Sequence, residues 1–209
     1  MPSQFNVIAF DCDGVMFDTA ASNRAYYNAM LEHLGMPEMT AEQFSYAHTH
    51  SVKDSVAYLV VDNDRIKRAH QFRETMPYDP FISKMVIEPF LIPLLKKLRS
   101  RYHTAIATNR TDTMGKVLTE FGIDRYFDYV VCASDVTHPK PHPEALEKII
   151  QRFDIQPPAL LYIGDSEVDE KAAKGAGVTF AAYDNSPLSA DYHISNLGEL
   201  EKLLFADRS

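Results

Sequence analysis

Five short, predominantly apolar runs, each stopped by polar residues, constrain this chain more than any other feature: residues 5–10, 103–108, 129–133, 160–165 and 178–182. A strand with one wet face alternates apolar and polar side chains. These runs do not alternate, so both faces of each are expected to be buried, as in a parallel sheet covered by helices. Helical spacing lies between them. Leu146, Ile149, Ile150 and Phe153 form one stripe, with Pro143 placed for the first turn. Val117, Leu118 and Phe121 form a second, closed by Gly122, and Val168, Ala172, Ala173 and Ala176 a third, closed by Gly177. Asn196 and Glu199 resemble a capping box ahead of Leu200, Leu203 and Leu204. Strands alternating with helices predict an open α/β, Rossmann-like sheet with right-handed crossovers.

One connection breaks the rhythm. The stretch from Thr19 to Lys84 far exceeds the roughly 30 residues of a βαβ unit and has no strand-like run. Tyr27, Met30, Leu31 and Leu34 give a helical stripe ended by Gly35, and residues 51–76 are rich in helix formers. The expected organisation is a Rossmann-like core of residues 1–18 and 85–209, interrupted by an all-helical cap of residues 19–84. The aromatic cluster Tyr26, Tyr27, Phe44, Tyr46 and Tyr58 is expected to form the core of that cap.

Composition removes several function classes. Twenty-one Lys and Arg against 29 Asp and Glu give a net charge of −8, which repels nucleic acid and anionic membranes. Two cysteines exclude a disulfide-dense scaffold and fit a reducing compartment; Cys12 and Cys132 are expected to be inert thiols. Residues 1–10 have no basic leader character, and no apolar stretch approaches the roughly 20 residues that span a bilayer. A soluble, cytoplasmic protein is the expectation, with an oligomeric state that the sequence leaves open.

In an open α/β sheet the chemistry lies beyond the carboxyl ends of the strands. Those ends carry Asp11 and Asp13, then Thr108 and Asn109, then Lys140 in the loop after the third strand, then Asp165 and Asp169. Taken in order, Asp11-Cys12-Asp13-Gly14-Val15, Thr108-Asn109, Lys140-Pro141-His142-Pro143 and Gly164-Asp165-Ser166-Glu167-Val168-Asp169 resemble the four motifs of the haloacid dehalogenase superfamily. The helical insert after the first strand is similar to that of its phosphoglycolate phosphatase and β-phosphoglucomutase branch.

The resemblance implies a Mg²⁺-dependent phosphatase of small phosphorylated metabolites that acts through an aspartyl-phosphate. By it, Asp11 is the nucleophile and a metal ligand, Asp165 a second ligand and the Asp13 carbonyl a third. Asp169 would hold a metal-bound water or orient its neighbours. Asp13 is implied as general acid and then base, its pKa expected to be raised by nearby carboxylates. Lys140 would neutralise the transferring group and Asp11. Thr108, Asn109 and the backbone N–H groups of Cys12, Asp13 and Gly14 would donate to phosphoryl oxygens. Substrate-facing cap residues would be His48, His50 and Lys53, whereas Arg24 and Arg110 read as surface charge.

Two rival readings stay open at this stage. A β-phosphoglucomutase-like mutase shares Asp18-Thr19, but such mutases carry a His where Asn23 stands and a Gly and an Arg in the cap loop, where this chain has residues 48–53. A non-catalytic signalling or scaffolding protein could keep the fold, although binding alone would not need Asp13.

Overall fold

The computed structural model describes residues 5–205. Eight strands occur among them: β1 (Val7–Phe10), β2 (Phe17–Asp18), β3 (Val86–Ile87), β4 (His103–Ala107), β5 (Tyr129–Val131), β6 (Leu160–Gly164), β7 (Thr179–Tyr183) and β8 (Tyr192–Ile194). The helices are α1 (Ala20–His33), α2 (Ala41–Thr49), α3 (Val52–Leu59), α4 (Asn63–Thr75), α5 (Asp79–Ile82), α6 (Leu91–Leu98), α7 (Met114–Glu120), α8 (Glu144–Phe153), α9 (Glu167–Ala176) and α10 (Leu197–Phe205). The chain divides into two compact units, residues 1–17 with 87–209 and residues 18–86.

The first unit is built on a six-stranded sheet in the order β5-β4-β1-β6-β7-β8, every pairing parallel. Five of these strands match the apolar runs, although β7 is displaced by one residue and β5 ends two residues early. Strand β8 has no such run: Tyr192 is half-buried and His193 exposed, as befits an edge that the sequence pattern does not mark. The paired ribbon of β2 and β3 is likewise too short to leave a pattern.

Burial on both faces explains the unbroken apolar runs. Val7, Ala9, Ala105, Ala107 and Tyr162 face one way and pack with Leu146 and Ile149 of α8 and Ala172 and Ala173 of α9. Their neighbours Ile8, Phe10, Ile106, Leu161 and Ile163 are equally buried. Leu91, Leu94, Leu95 and Leu98 line the fully buried face of α6. Glu88 starts two helices at once: Oε2 accepts from Phe90 N (2.6 Å) and Oε1 from Leu197 N (3.1 Å).

Register decides where the chemistry falls. Phe10 pairs with Ile106 on one side and with Ile163 on the other. Asp11, one residue on, therefore stands level with Ala107 and Gly164, and Thr108 and Asp165 follow immediately. Three polar strand ends are thereby aligned on one edge of the sheet.

The second unit is helical. Tyr26 lies edge-on to Tyr27, Tyr78 and Phe81, with ring centroids 5.3–5.6 Å apart, and these four rings are buried. The expected aromatic core is thus partly different. Tyr58 is 42% exposed and stacks on Tyr46, while Tyr78 and Phe81, outside the cluster read from sequence, complete the packing. Among the described residues, no helix is long and apolar enough to cross a membrane.

Candidate active site

The turn after β1 is closed by Gly14 N donating to Phe17 O and by Met16 N and Phe17 N donating to Cys12 O. Gly14 adopts φ +81°, and a Cβ there would stand 2.0 Å from Asp165 Oδ2. No other residue type lets the β1 turn approach the end of β6 this closely. A second close approach lies at Gly164, where a Cβ would fall 2.4 Å from Asp169 Cβ. The Asp169 side chain occupies that space because Ser166 and Asp169 form the capping box of α9: Ser166 Oγ accepts from Asp169 N, and Asp169 Oδ2 accepts from Ser166 N and Oγ.

Lys140 ties these strand ends together. Its Nζ is 2.9 Å from Asp11 Oδ1 and donates to Asp169 Oδ1 (2.6 Å) and Tyr162 Oη (2.8 Å). The Tyr162 hydroxyl stands 2.7 Å from Asp169 Oδ1 and 3.1 Å from Ala107 O, and can donate its proton to either acceptor. Lys140 and Asp169 are almost wholly buried. Burial works against the Lys140 charge, but Asp11 and Asp169 outweigh it and hold the ammonium above its ordinary range. Burial likewise disfavours the Asp169 carboxylate, and Lys140 more than offsets that, so its pKa is lowered.

The remaining carboxyls feel the opposite balance. Burial pushes Asp165 up to about 8, with repulsion from Asp169 and Asp11 added. Asp11 is raised to about 7, chiefly by burial, with Lys140 opposing and Asp169 and Asp13 reinforcing. Carboxylate oxygens of Asp11, Asp165 and Asp169 all lie within 4.8 Å of one another. Three acids around one lysine is a donor set that suits a hard divalent cation.

Asp13 has a further neighbour that was not expected. Both of its oxygens accept from Arg110: Nε to Oδ2 and Nη2 to Oδ1, each at 2.7 Å. Arg110, read from sequence as surface charge, is 7% exposed. Its own main chain is fixed by Arg110 N donating to Thr108 Oγ1 (3.1 Å) and by Arg110 O accepting from Ala133 N. Asp13 therefore keeps Asp11 and Asp165 as carboxylate neighbours and adds a forked ion pair with Arg110 that the sequence did not mark.

Thr108 and Asn109 lie where the register places them, and each makes a local bond that fixes its position while keeping a donor hydrogen. Thr108 Oγ1 accepts from Arg110 N, and Asn109 Nδ2 donates to Lys140 O (3.0 Å), which ties the Lys140 loop to the end of β4. Asn185, unmarked in the sequence, donates from Nδ2 to Asp165 O (2.7 Å). Tyr162 was hidden inside an apolar run, and Arg110 was one residue beyond a motif; only the fold shows that each meets a charged partner. Both cysteines are buried, and burial raises Cys12 well above its ordinary value and Cys132 to about 11.

In the helical unit, His48 and His50 lie at the end of α2, and Lys53 is exposed in the first turn of α3. His48 Nδ1 lies 3.0 Å from Asn23 Nδ2, and its ring stacks on Phe44, over which the Arg24 guanidinium also sits at 4.3 Å. His50 stacks on Tyr46 at 3.8 Å, with Nδ1 2.9 Å from Tyr46 O and from Thr49 Oγ1. Arg24 is thus held against an aromatic face rather than being free surface charge.

Known proteins resemble the chain over most of its length. The chain is similar to the phosphoglycolate phosphatase of Escherichia coli strain K12, 29% identical over 198 residues, covering 81% of this chain and 77% of that protein. It is 28% identical to the phosphoglycolate phosphatase of Chromobacterium violaceum, over 94% of this chain and 95% of that protein. Among solved structures, a haloacid dehalogenase-superfamily hydrolase of subfamily IA from Geobacter sulfurreducens superposes with a TM-score of 0.78 at 35% identity, covering 98% of this chain and all of that one. The β-phosphoglucomutase of Clostridium difficile shares the fold, with a TM-score of 0.83 at 18% identity over 94% of this chain and 93% of that one. The profile of the family described as haloacid dehalogenase-like hydrolase matches residues 8–183, from the first strand to the end of β7. This chain therefore belongs to the haloacid dehalogenase-like hydrolases.

Proposed function

We propose that this hydrolase cleaves small phosphorylated metabolites through an aspartyl-phosphate formed on Asp11, with Mg²⁺ as cofactor and residues 19–84 as a substrate-selecting cap. The observation that carries the reading is the meeting of Asp11, Lys140, Asp169 and Asp165 at the aligned strand ends, within 2.6–2.9 Å of Lys140 for the first and third. Hydrolysis of a phosphate monoester is among the slowest uncatalysed reactions, because an anion must attack a dianion. Held between Asp11, Asp165 and the Asp13 carbonyl, Mg²⁺ would supply the neutralisation of that repulsion. Asp169 is an orienting group in this reading, since Lys140, Tyr162, Ser166 N and Ser166 Oγ already fill its oxygens.

The chain's own residues then divide the work. Lys140 fixes Asp11 through Oδ1, which leaves Oδ2 to attack phosphorus. The Lys140 charge also offsets that of the transferring group. Asp13 protonates the departing oxygen and afterwards takes a proton from the water that frees the enzyme. To do so it must give up at least one of its two bonds to Arg110, so Arg110 sets the position from which Asp13 acts. Thr108 and Asn109 shape the wall of the phosphate site, Asn109 by holding the Lys140 loop. The relatives named phosphoglycolate phosphatase make a small carboxylated monoester the first substrate to try.

The test is release of phosphate from a panel of phosphorylated metabolites, with Mg²⁺ and with EDTA, for the wild-type chain and Asp11→Asn. We expect Mg²⁺-dependent release from at least one small ester, an acid-stable-to-base-labile phosphoryl adduct in rapid-quench samples, and neither in the variant. Unchanged turnover in Asp11→Asn would remove the nucleophile assignment. With a hexose 1-phosphate, recovery of the 6-phosphate instead of free phosphate would make the enzyme a mutase.

A further inference from the structure

A second group of metal-ligating side chains lies outside the carboxylate cluster. His138, His142 and Glu144 each offer a ligand atom, and these atoms all lie within 4.8 Å of one another. The two rings are inclined at 34° with centroids 4.7 Å apart, and His138 Nδ1 is 3.2 Å from Glu144 Oε2. Both histidines are exposed, so an ion could reach them.

The segment is stiff. Residues 138–144 read His-Pro-Lys-Pro-His-Pro-Glu, so a proline separates each pair of functional side chains and fixes every second φ. His142 N donates to Pro139 O, which closes a turn between the two imidazoles. Glu144 opens α8, and its carboxylate accepts from Thr137 N (2.8 Å) and His138 N (2.9 Å). These two N–H bonds hold the carboxylate beside the His138 ring. Little chain entropy remains to be lost when an ion binds.

We propose that His138, His142 and Glu144 form a surface site for a borderline divalent transition-metal ion such as Zn²⁺ or Cu²⁺, separate from the carboxylate cluster. Two imidazoles and one carboxylate favour such ions over hard Mg²⁺, which takes oxygen ligands. Tetrahedral bonds of about 2.0–2.1 Å need donor atoms about 3.3 Å apart, so atoms now within 4.8 Å of one another must draw together when an ion binds. The ion would replace the 3.3 Å contact from Glu144 N to His142 Nδ1 and leave open positions for water. The site does not depend on the reaction proposed above. Its place in the sequence does give it a consequence, because Lys140 lies midway between the two histidines.

The test is Zn²⁺ binding by titration calorimetry in excess Mg²⁺, which occupies the carboxylates, together with Cu²⁺ spin resonance on the same protein. We expect one equivalent bound in the micromolar range and nitrogen couplings from two imidazoles. His138→Gln and His142→Gln should each weaken binding by at least the roughly tenfold that loss of an outer-shell partner costs. Asp165→Asn should leave it unchanged. Both histidines are exposed, and metal-free melting of the variants should match wild type. Binding that survives both histidine substitutions, that disappears in Asp165→Asn, or that is absent below millimolar Zn²⁺ would overturn the site.

Discussion

Raising the pH in the absence of divalent cations should destabilise this protein, and the carboxylate cluster sets both the sign and the size. Asp165 and Asp11 bind protons more tightly folded, at about 8 and about 7, than at their ordinary value of 3.8. The folded chain therefore holds more protons than the unfolded one between about pH 4 and about pH 8, and stability must fall as pH rises through that window. Each pH unit costs about 1.4 kcal/mol per proton. Asp11 and Asp165 repel one another, so a proton on one relieves the other, and one carboxyl's worth is the sound figure. From about pH 5 to about pH 9 this amounts to about 4 kcal/mol, or about 10 °C in melting temperature for a chain of this length. Saturating Mg²⁺ needs ionised ligands, so its stabilising effect should grow over the same interval and cancel most of the fall. The assay is calorimetric melting in EDTA and in Mg²⁺ across that range, for wild type and Asp165→Asn. A flat or rising wild-type profile in EDTA, or an equal slope in Asp165→Asn, would refute the reasoning.

Three further outcomes follow from individual contacts. Arg110→Met frees Asp13 from its forked pair and should slow single-turnover phosphorylation by an alkyl phosphate about 10²-fold, but less for an aryl phosphate whose leaving group needs little acid help; equal losses would separate Arg110 from Asp13's role. Tyr162→Phe removes a fully buried hydroxyl that meets Lys140 and Asp169, and should cost about 2–3 kcal/mol by denaturant titration. A change below about 0.5 kcal/mol would mean that the hydroxyl is dispensable. Gly14→Ala drives a methyl group into Asp165 and should weaken Mg²⁺ binding about tenfold or more in calorimetric titration, an effect that loss of one carboxylate ligand's geometry produces; wild-type affinity would contradict the close approach.

The parallel sheet and the acids of its edge were legible because each signal is local. An apolar run buried on both faces and an acid at its end are neighbours in sequence, so Asp11 and Asp165 could be named in advance, whereas Lys140, in a loop well past β5, was marked only by its place in the order of motifs. Arg110 was not legible, since an arginine three residues past a strand end looks the same whether it points to water or across to Asp13, 97 positions earlier. Tyr162 was concealed for the opposite reason: its aromatic body satisfies the apolar pattern, while its hydroxyl meets charges from two other elements. Asn109 carries the right atoms for a phosphate site, and its amide also reaches the Lys140 carbonyl, a partner that only the fold brings near. Strand β8 fails the apolar test because it lies at an edge.

Of the two carboxylates that share the Lys140 ammonium, only Asp11 changes its covalent state in the proposed reaction. Asp169 remains an anion throughout, braced by Tyr162 and by the start of α9. The cation is therefore moored to a fixed post while its other partner becomes an acyl phosphate and reverts. Nothing in that cycle obliges the lysine to travel, so each half-reaction meets the same field already in place.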